Sequence, residues 1–535
     1  MTMRKGIRRI AMAAAIGSAT ALPLLSGCAV GQSDIHRWEG TEHGPGKLEA
    51  VLVHDKYSIE LRKEAALSLV KMPARGGTRI GQKILFEKHK TEEGEDRGPA
   101  LLALSKDARA KVIDLLTPEL VAKITAPPPA RLGDGRVAAD PSIPYKDTAY
   151  ALLFGEGSAE LVTNPESRKK LETALIAWCN TDFDARIDNS SQLYGLEQVM
   201  RSLKAPAVVG IPALMNEKAY RVDRMATLVA DLGDEATKAK GSEALVALGK
   251  RLESAEWFED QKKLVDAHNK EAKTPATPEQ LKKQVETIQQ RKLSEELFPA
   301  MKKLGGRPVV EFLLAYAADG KKPEDRRKLA LAALEGKIDK TNKADLDRVF
   351  AIASDDATPD AARDLAFTRL GELPKDQIVP KLYTLFEPKK WQVRYVAASL
   401  ILKSIDAAAV PDFLAKLPAT NKTKMALTEP LDYGRNLNRI LGAEKARALA
   451  VSNLDSKNFG AKMTALGVFW DAGKKSDASV LSPLEGDKTP VPACEAADDC
   501  LWKCEAPAAG GKGTELKEVK TVGEVVTVCI VPKLK

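Results

Sequence analysis

Between about residues 46 and 490, amphipathic helical patterns alternate with short turns, and strand-like alternation of apolar and polar residues is almost absent. Apolar residues that recur at steps of three, four and seven fall on one face of a helix. Five segments show this most plainly: LRKEAALSLV from Leu61, RRKLALAAL from Arg326, ARDLAFTRL from Ala362, VRYVAASLI from Val393 and AKMTALGVF from Ala461. Each carries a basic residue (Arg62, Arg327, Arg363, Arg394, Lys462), an alanine three positions on (Ala65, Ala330, Ala366, Ala397, Ala465) and a large apolar residue seven on (Leu69, Leu334, Leu370, Ile401, Phe469). A small residue on the apolar face lets a neighbouring helix come close. The copies are 36 residues apart from Arg327 to Arg363, 31 from Arg363 to Arg394, and 68 from Arg394 to Lys462, which is two units of 34. A second amphipathic helix follows most copies, as at Val379, Leu382 and Leu385, or Val410, Phe413 and Leu417. Pro359, Pro374, Pro388 and Pro411 stand at or between helix boundaries, where proline breaks a helix or fixes its first turn.

An acidic turn residue, a Val-Arg or similar pair and then an Ala-rich helix make this pattern resemble the HEAT-repeat family. The best copy is Glu387…Val393-Arg394…Ala397-Ala398, and the next is Asp55…Leu61-Arg62…Ala65-Ala66. The clear copies cover about a third of the chain, mostly residues 320–420. The resemblance implies an α-solenoid of helix pairs, and implies little about function. Such pairs must stack, because one pair alone buries too little apolar surface to offset its ordering entropy. Residues 145–260 match the repeat weakly, and the copy around Leu431 to Leu454 is irregular.

Two stretches interrupt the pattern. Residues 126–144, with Pro127, Pro128 and Pro129, read as a stiff connector. It would divide an N-terminal block, 46–125, from the main array, 145–490. Residues 256–304 are more charged, and longer, more exposed helices are expected there. Residues 28–45 are polar, contain glycine and lack periodicity, and read as a flexible tether.

Residues 491–535 differ in kind. Cys494, Cys500, Cys504 and Cys529 follow the spacing C-x5-C-x3-C-x24-C, and a Val- and Thr-rich run, 515–531, reads as a β-hairpin turning at Val522-Gly523-Glu524. A module this small needs staples, and four cysteines in an exported chain read as two disulfides. Four cysteines allow three pairings, and the sequence does not choose among them. Structural zinc is the competing reading, but the C-x-x-C knuckle it usually needs is missing. Trp502 is expected to pack against the bridges.

Export itself rests on the first 27 residues. Arg4, Lys5, Arg8 and Arg9 precede an Ala-rich apolar run from Ile10 to Leu25, which reads as a secretory signal. Leu25-Ser26-Gly27-Cys28 resembles a bacterial lipobox. The resemblance implies that Cys28 is acylated and becomes the first residue of a membrane-anchored protein. In enterobacterial lipoproteins an Asp after that Cys retains the protein at the inner membrane. Here Ala29 and Val30 follow, which implies the outer membrane.

Charge and chemistry narrow the function by subtraction. The net charge is +8, and the four cations of the signal leave +4 for the rest. That excess, with no dense basic patch among aromatics, does not point to nucleic acid. No metalloprotease, serine-hydrolase or Walker motif occurs, and Gly510-Gly511-Lys512-Gly513-Thr514 lacks phosphate-loop spacing. His36, His43, His54, His89 and His268 include no pair one helix turn apart. Cys179, beside Trp178, reads as a buried structural thiol, and Lys389-Lys390-Trp391 as an inter-repeat turn. The sequence thus predicts no catalytic residue, metal ligand or cofactor. It predicts a lipid-anchored envelope scaffold that binds other envelope proteins. A cell-wall or polysaccharide binder is the alternative, and a cryptic enzyme the third reading.

Overall fold

A computed structural model describes residues 30–91, 93–129, 139–270, 276–387, 391–492, 502–507 and 513–535. The chain divides into two compact units, residues 1–203 and 204–535. Among the described residues both are built almost wholly of helices, with one two-stranded sheet in each. No helix among the described residues is long and apolar enough to cross a membrane.

In the second unit the helices stack in sequence order. Helix Glu324–Ala333 packs on Asp360–Leu370, which packs on Trp391–Ser404, then Thr428–Leu441, then Phe459–Ala472. Helices Arg307–Ala318 and Lys343–Ser354 run alongside and pack on each other and on these. Contact with the next helix and the next but one is the order expected of HEAT-like pairs, and the fold is an all-α stack of that kind. The repeat residues read from the sequence hold it. Ala330, Ala366, Ala397 and Ala465, with Leu334, Leu370, Ile401 and Phe469, are all buried.

The basic residue of each copy has a physical role as well. Arg327 Nε donates to the Ala317 carbonyl at 2.8 Å, at the end of the preceding helix. Arg62 Nε does the same to Leu52 at 2.7 Å. Arg363 reaches the turn after helix Lys343–Ser354, donating to the Thr358 and Asp355 carbonyls at 2.7 and 3.2 Å. A guanidinium at a helix C-terminus satisfies orphan carbonyls and opposes the negative end of the helix dipole. Arg394 departs from this. It forks onto Glu429 with two bonds of 2.8 Å, and both side chains are fully buried. Glu429 belongs to the irregular copy, whose helix carries no basic residue at the repeat position. That helix crosses Phe459–Ala472 backbone to backbone: a Cβ at Gly467 would lie 2.0 Å from the Pro430 carbonyl oxygen.

Helices Ala255–Lys270 and Pro278–Arg291 pack on each other and leave Leu264 exposed, as the charged composition of 256–304 predicts. Trp391, at the expected inter-repeat turn, is half-buried with its ring edge-on to Tyr395. Lys389 and Lys390 lie outside the described residues.

The first unit departs from expectation twice. Residues from Gln32 onward do not form a free tether. Helix Gln32–Trp38 docks through fully buried Ile35, and Ser68 Oγ donates to Glu39 at 2.6 Å. Helix Gly44–Val53, with Pro45 in its first turn, follows and buries Leu48, Val51 and Leu52. A seven-residue helix with one apolar anchor shows no periodicity. The connector at 126–144 also divides nothing, although 130–138 lie outside the described residues. Helix Lys106–Ile124 before it packs on Ile143–Phe154 and Pro165–Cys179 after it. Arg79 bonds Asp147 at 2.7 Å, and Gln82 bonds the Pro144 carbonyl at 2.9 Å. Apolar faces on both sides of the prolines close over one core, and the division falls after Leu203 instead.

The C-terminal sheet is a hairpin, with its strands placed differently from the expectation. Lys503–Pro507 pairs antiparallel with Thr514–Glu518, while Val522–Glu524 and Val525–Ile530 are helical. Val522, Val525, Val526, Cys529 and Ile530 are buried, at steps of three, one, three and one. That is a helix period, and packing it against the stack overrides the β preference of valine.

Candidate functional site

Of the cysteines singled out in the sequence, Cys28, Cys494 and Cys500 lie outside the described residues. Cys504 and Cys529 form a disulfide, with Cα atoms 5.6 Å apart. It ties the first strand of the hairpin to the Val-rich helical run. Along that strand Trp502, Cys504 and Ala506 are buried while Lys503 and Glu505 are exposed, so one face lies on the stack. Trp502 Nε1 donates to the Met425 carbonyl at 3.0 Å. The bridge thus staples the module to itself, and the module covers the last repeats by burial and hydrogen bonding, which is a structural task.

Cys179 is fully buried. Burial pushes its thiol up to about 12, with Lys146 and Arg186 pulling the other way. A protonated, inaccessible thiol is no nucleophile. Its neighbour Trp178 lies between two cations, with Lys146 Nζ 4.9 Å and the Arg186 guanidinium 4.5 Å from the ring centroid. Asp147 receives Arg79 at 2.7 Å, Lys146 at 2.6 Å and the Leu193 amide at 3.1 Å. Arg186 Nε donates to Asp140 at 3.1 Å. Each charge here has an opposite charge or a carbonyl within reach, so the knot orients helices of the first unit.

One concave feature stands apart. An open cavity of about 1140 Å³ lies in the first unit. Helix Gly44–Val53 supplies Lys47 and Glu49, helix Ile80–Phe86 supplies Lys83 and Ile84, and the small sheet His89–Lys90 with Asp96–Arg97 supplies a third wall. Gly94, at φ +86°, makes the sheet's tight turn possible. His89 points inward from this sheet. Its Nδ1 is 3.1 Å from the Glu87 carbonyl oxygen, and its Nε2 is 3.2 Å from Glu49 Oε2 but not aligned to hydrogen-bond to it. Arg97 stands 3.8 Å from the other Glu49 oxygen. His43 lines the same cavity.

Nothing in the sequence joins His43 to His89. They are 46 residues apart, and strands of two residues carry no alternation to read. The other histidines lie elsewhere: His36 is 3.2 Å from Glu39, His54 is 3.1 Å from Asp55, and His268 is on helix Ala255–Lys270. Among the described residues no group of three His, Cys, Asp or Glu is placed to hold a metal ion.

No protein-family model matches the chain, and no curated protein sequence matches it. Among solved structures it is similar to an engineered protein at 15% identity, over 83% of this chain and 94% of that one, with a TM-score of 0.19. It is also similar to Kap121p bound to Pho4p, at 14% identity over 85% and 51% of the two chains, with a TM-score of 0.22. Kap121p bound to Ste12p gives 12% identity, 92% and 49%, and 0.22. The chain thus spans about half the length of Kap121p. Superpositions this loose share helices without a common course in space, so the fold assignment rests on the helix order described above.

Proposed function

We propose that this chain is a non-enzymatic binding platform of a bacterial envelope, anchored by lipid on Cys28, whose helical stack holds a protein partner. The carrying observation is the sequence-ordered stack of the second unit. Arg327 and Arg363 are committed to carbonyls at helix ends, Arg394 to Glu429, and Lys462 to Asp487 at 3.4 Å, so these cations build structure. The outward faces of successive pairs are left to offer many weak contacts over a long surface. Tethering multiplies such contacts by raising the partner's effective concentration at the membrane. One acyl chain alone binds marginally, so the multiple acylation implied by the lipobox matters to this reading. Ala29 after Cys28 supports the outer membrane as the site.

Chemical crosslinking in intact cells, followed by mass spectrometry, tests the proposal against a Cys28→Ser form. Recovery of the same one or two envelope proteins with the lipidated form, and their loss with the variant, is the expected result. No protein adduct with either form would overturn it.

A further inference from the structure

We propose that the cavity of the first unit is a binding site for a small ligand, held through a phosphate or carboxylate group between His89 and the rim lysines. This goes beyond the platform reading and does not rest on it. Four observations carry the proposal. First, the volume of about 1140 Å³ leaves room for a small organic molecule, and the opening admits one from solvent.

Second, the cavity holds a buried polar atom in want of a partner. His89 is nine-tenths buried. With Nδ1 occupied by the Glu87 carbonyl, Nε2 has no aligned hydrogen bond. Buried polar atoms are seldom left this way, because the hydration given up on burial is not replaced. In the doubly protonated ring Nε2–H would donate to a ligand oxygen in the cavity.

Third, the lining carries an excess of positive charge: five Lys or Arg side chains against three Glu. Glu49 would repel an anion, but the Arg97 guanidinium stands 3.8 Å from it and offsets its charge. Lys83 is exposed at the rim, and no ion pair or hydrogen bond engages its ammonium group. It is therefore available to a ligand. Lys47, whose ammonium stands 5.7 Å from the Trp38 ring centroid, is a second.

Fourth, the walls give the remainder of a ligand something to lie on. Ile84 and Pro45 are buried apolar lining residues beside the charged rim. A bare ion would leave them unused, so the favoured ligand is an organic anion, with the oxyanion at the rim and a less polar body against the floor.

The test uses the full chain carrying Cys28→Ser, titrated calorimetrically with inorganic pyrophosphate in one arm and citrate in the other. Saturable one-site binding is expected in at least one arm, and the tighter arm tells phosphate from carboxylate. Lys83→Glu is expected to weaken it about tenfold or more, since one lost charge-assisted contact is worth about that much. His89→Gln should do likewise, and Lys262→Glu, in the second unit, should leave affinity within about twofold. Circular dichroism checks that each variant is folded. Should His89→Gln unfold the unit, the exposed Lys83 position decides alone. Absence of saturable binding in both arms, equal affinity in wild type and Lys83→Glu, or an equal loss in Lys262→Glu would each overturn the proposal.

Discussion

In the second unit buried cations recur about once per helix pair, with Arg327 and Arg363 closing helix ends and Arg394 bonded to Glu429. In the first unit Arg62 follows the same rule. There, however, Lys146 and Arg186 gather around one tryptophan. Further cations line an open cavity instead of a helix end. The contrast separates two uses of charge. Charge that repeats with the helices serves the stack, and its loss should be felt as stability. Charge left over at the cavity rim is where binding of a small ligand should be sought.

The most severe test on the second unit is Glu429→Ala. It strands the Arg394 guanidinium without its bidentate partner in a fully buried position, and removing one member of such a pair costs about 3–5 kcal/mol. Hydrogen exchange should show the loss across helices 391–404 and 428–441, with the first unit unchanged. Asp147→Ala is its counterpart, leaving Lys146 and Arg79 without their carboxylate. A loss of similar size, about 3–5 kcal/mol, is expected in the first unit, read by Trp178 fluorescence on denaturation.

Next in size is Cys504→Ser. The bridge closes a sequence separation of 25, and its removal should cost about 2–4 kcal/mol. Proteolysis should then cut the hairpin before it cuts the helices. Gly467→Ala follows at about 1–3 kcal/mol, because its Cβ would meet backbone that cannot swing aside. Gly486→Ala, with open space at the Cβ position, is the control and should melt like the wild type.

The smallest effect is a change in pH dependence. Asp477 is raised by burial, but its bonds to Arg447 and the Lys474 amide outweigh this and hold its carboxyl below the ordinary value. A carboxyl lowered in the folded state stabilises the fold above its unfolded value, near about 3.9. That stabilisation is lost as pH falls from there through the lower folded value. Asp477→Asn should therefore lower the stability of the second unit at neutral pH, flatten the acid limb of its melting curve, and converge with the wild type once pH falls below the folded value.

The same contrast explains what could be read from the sequence. The stack was legible because Arg, Ala and a large apolar residue recur at fixed offsets in Glu324–Ala333, Asp360–Leu370 and Trp391–Ser404, so each copy reinforced the next. The helical end of the chain misled for a chemical reason: valine favours strands, and only burial of Val522, Val525 and Val526 on one face shows the helix. Helix Gln32–Trp38 hid because one isoleucine anchors it. The cavity was illegible in principle. It joins residues from two short helices and a sheet of two-residue strands, the period of helix Gly44–Val53 marks its buried face and not the cavity, and His89 gains meaning only beside Glu49 and Arg97.

Photocrosslinking in intact cells tests the central division of labour most directly, with the reactive residue placed at exposed Val451 and Leu264 in the second unit and at Leu115 and Leu193 in the first. The account predicts that second-unit positions trap the same envelope protein and first-unit positions do not. Trapping of that protein only through the first unit, or no protein from any position, would contradict it.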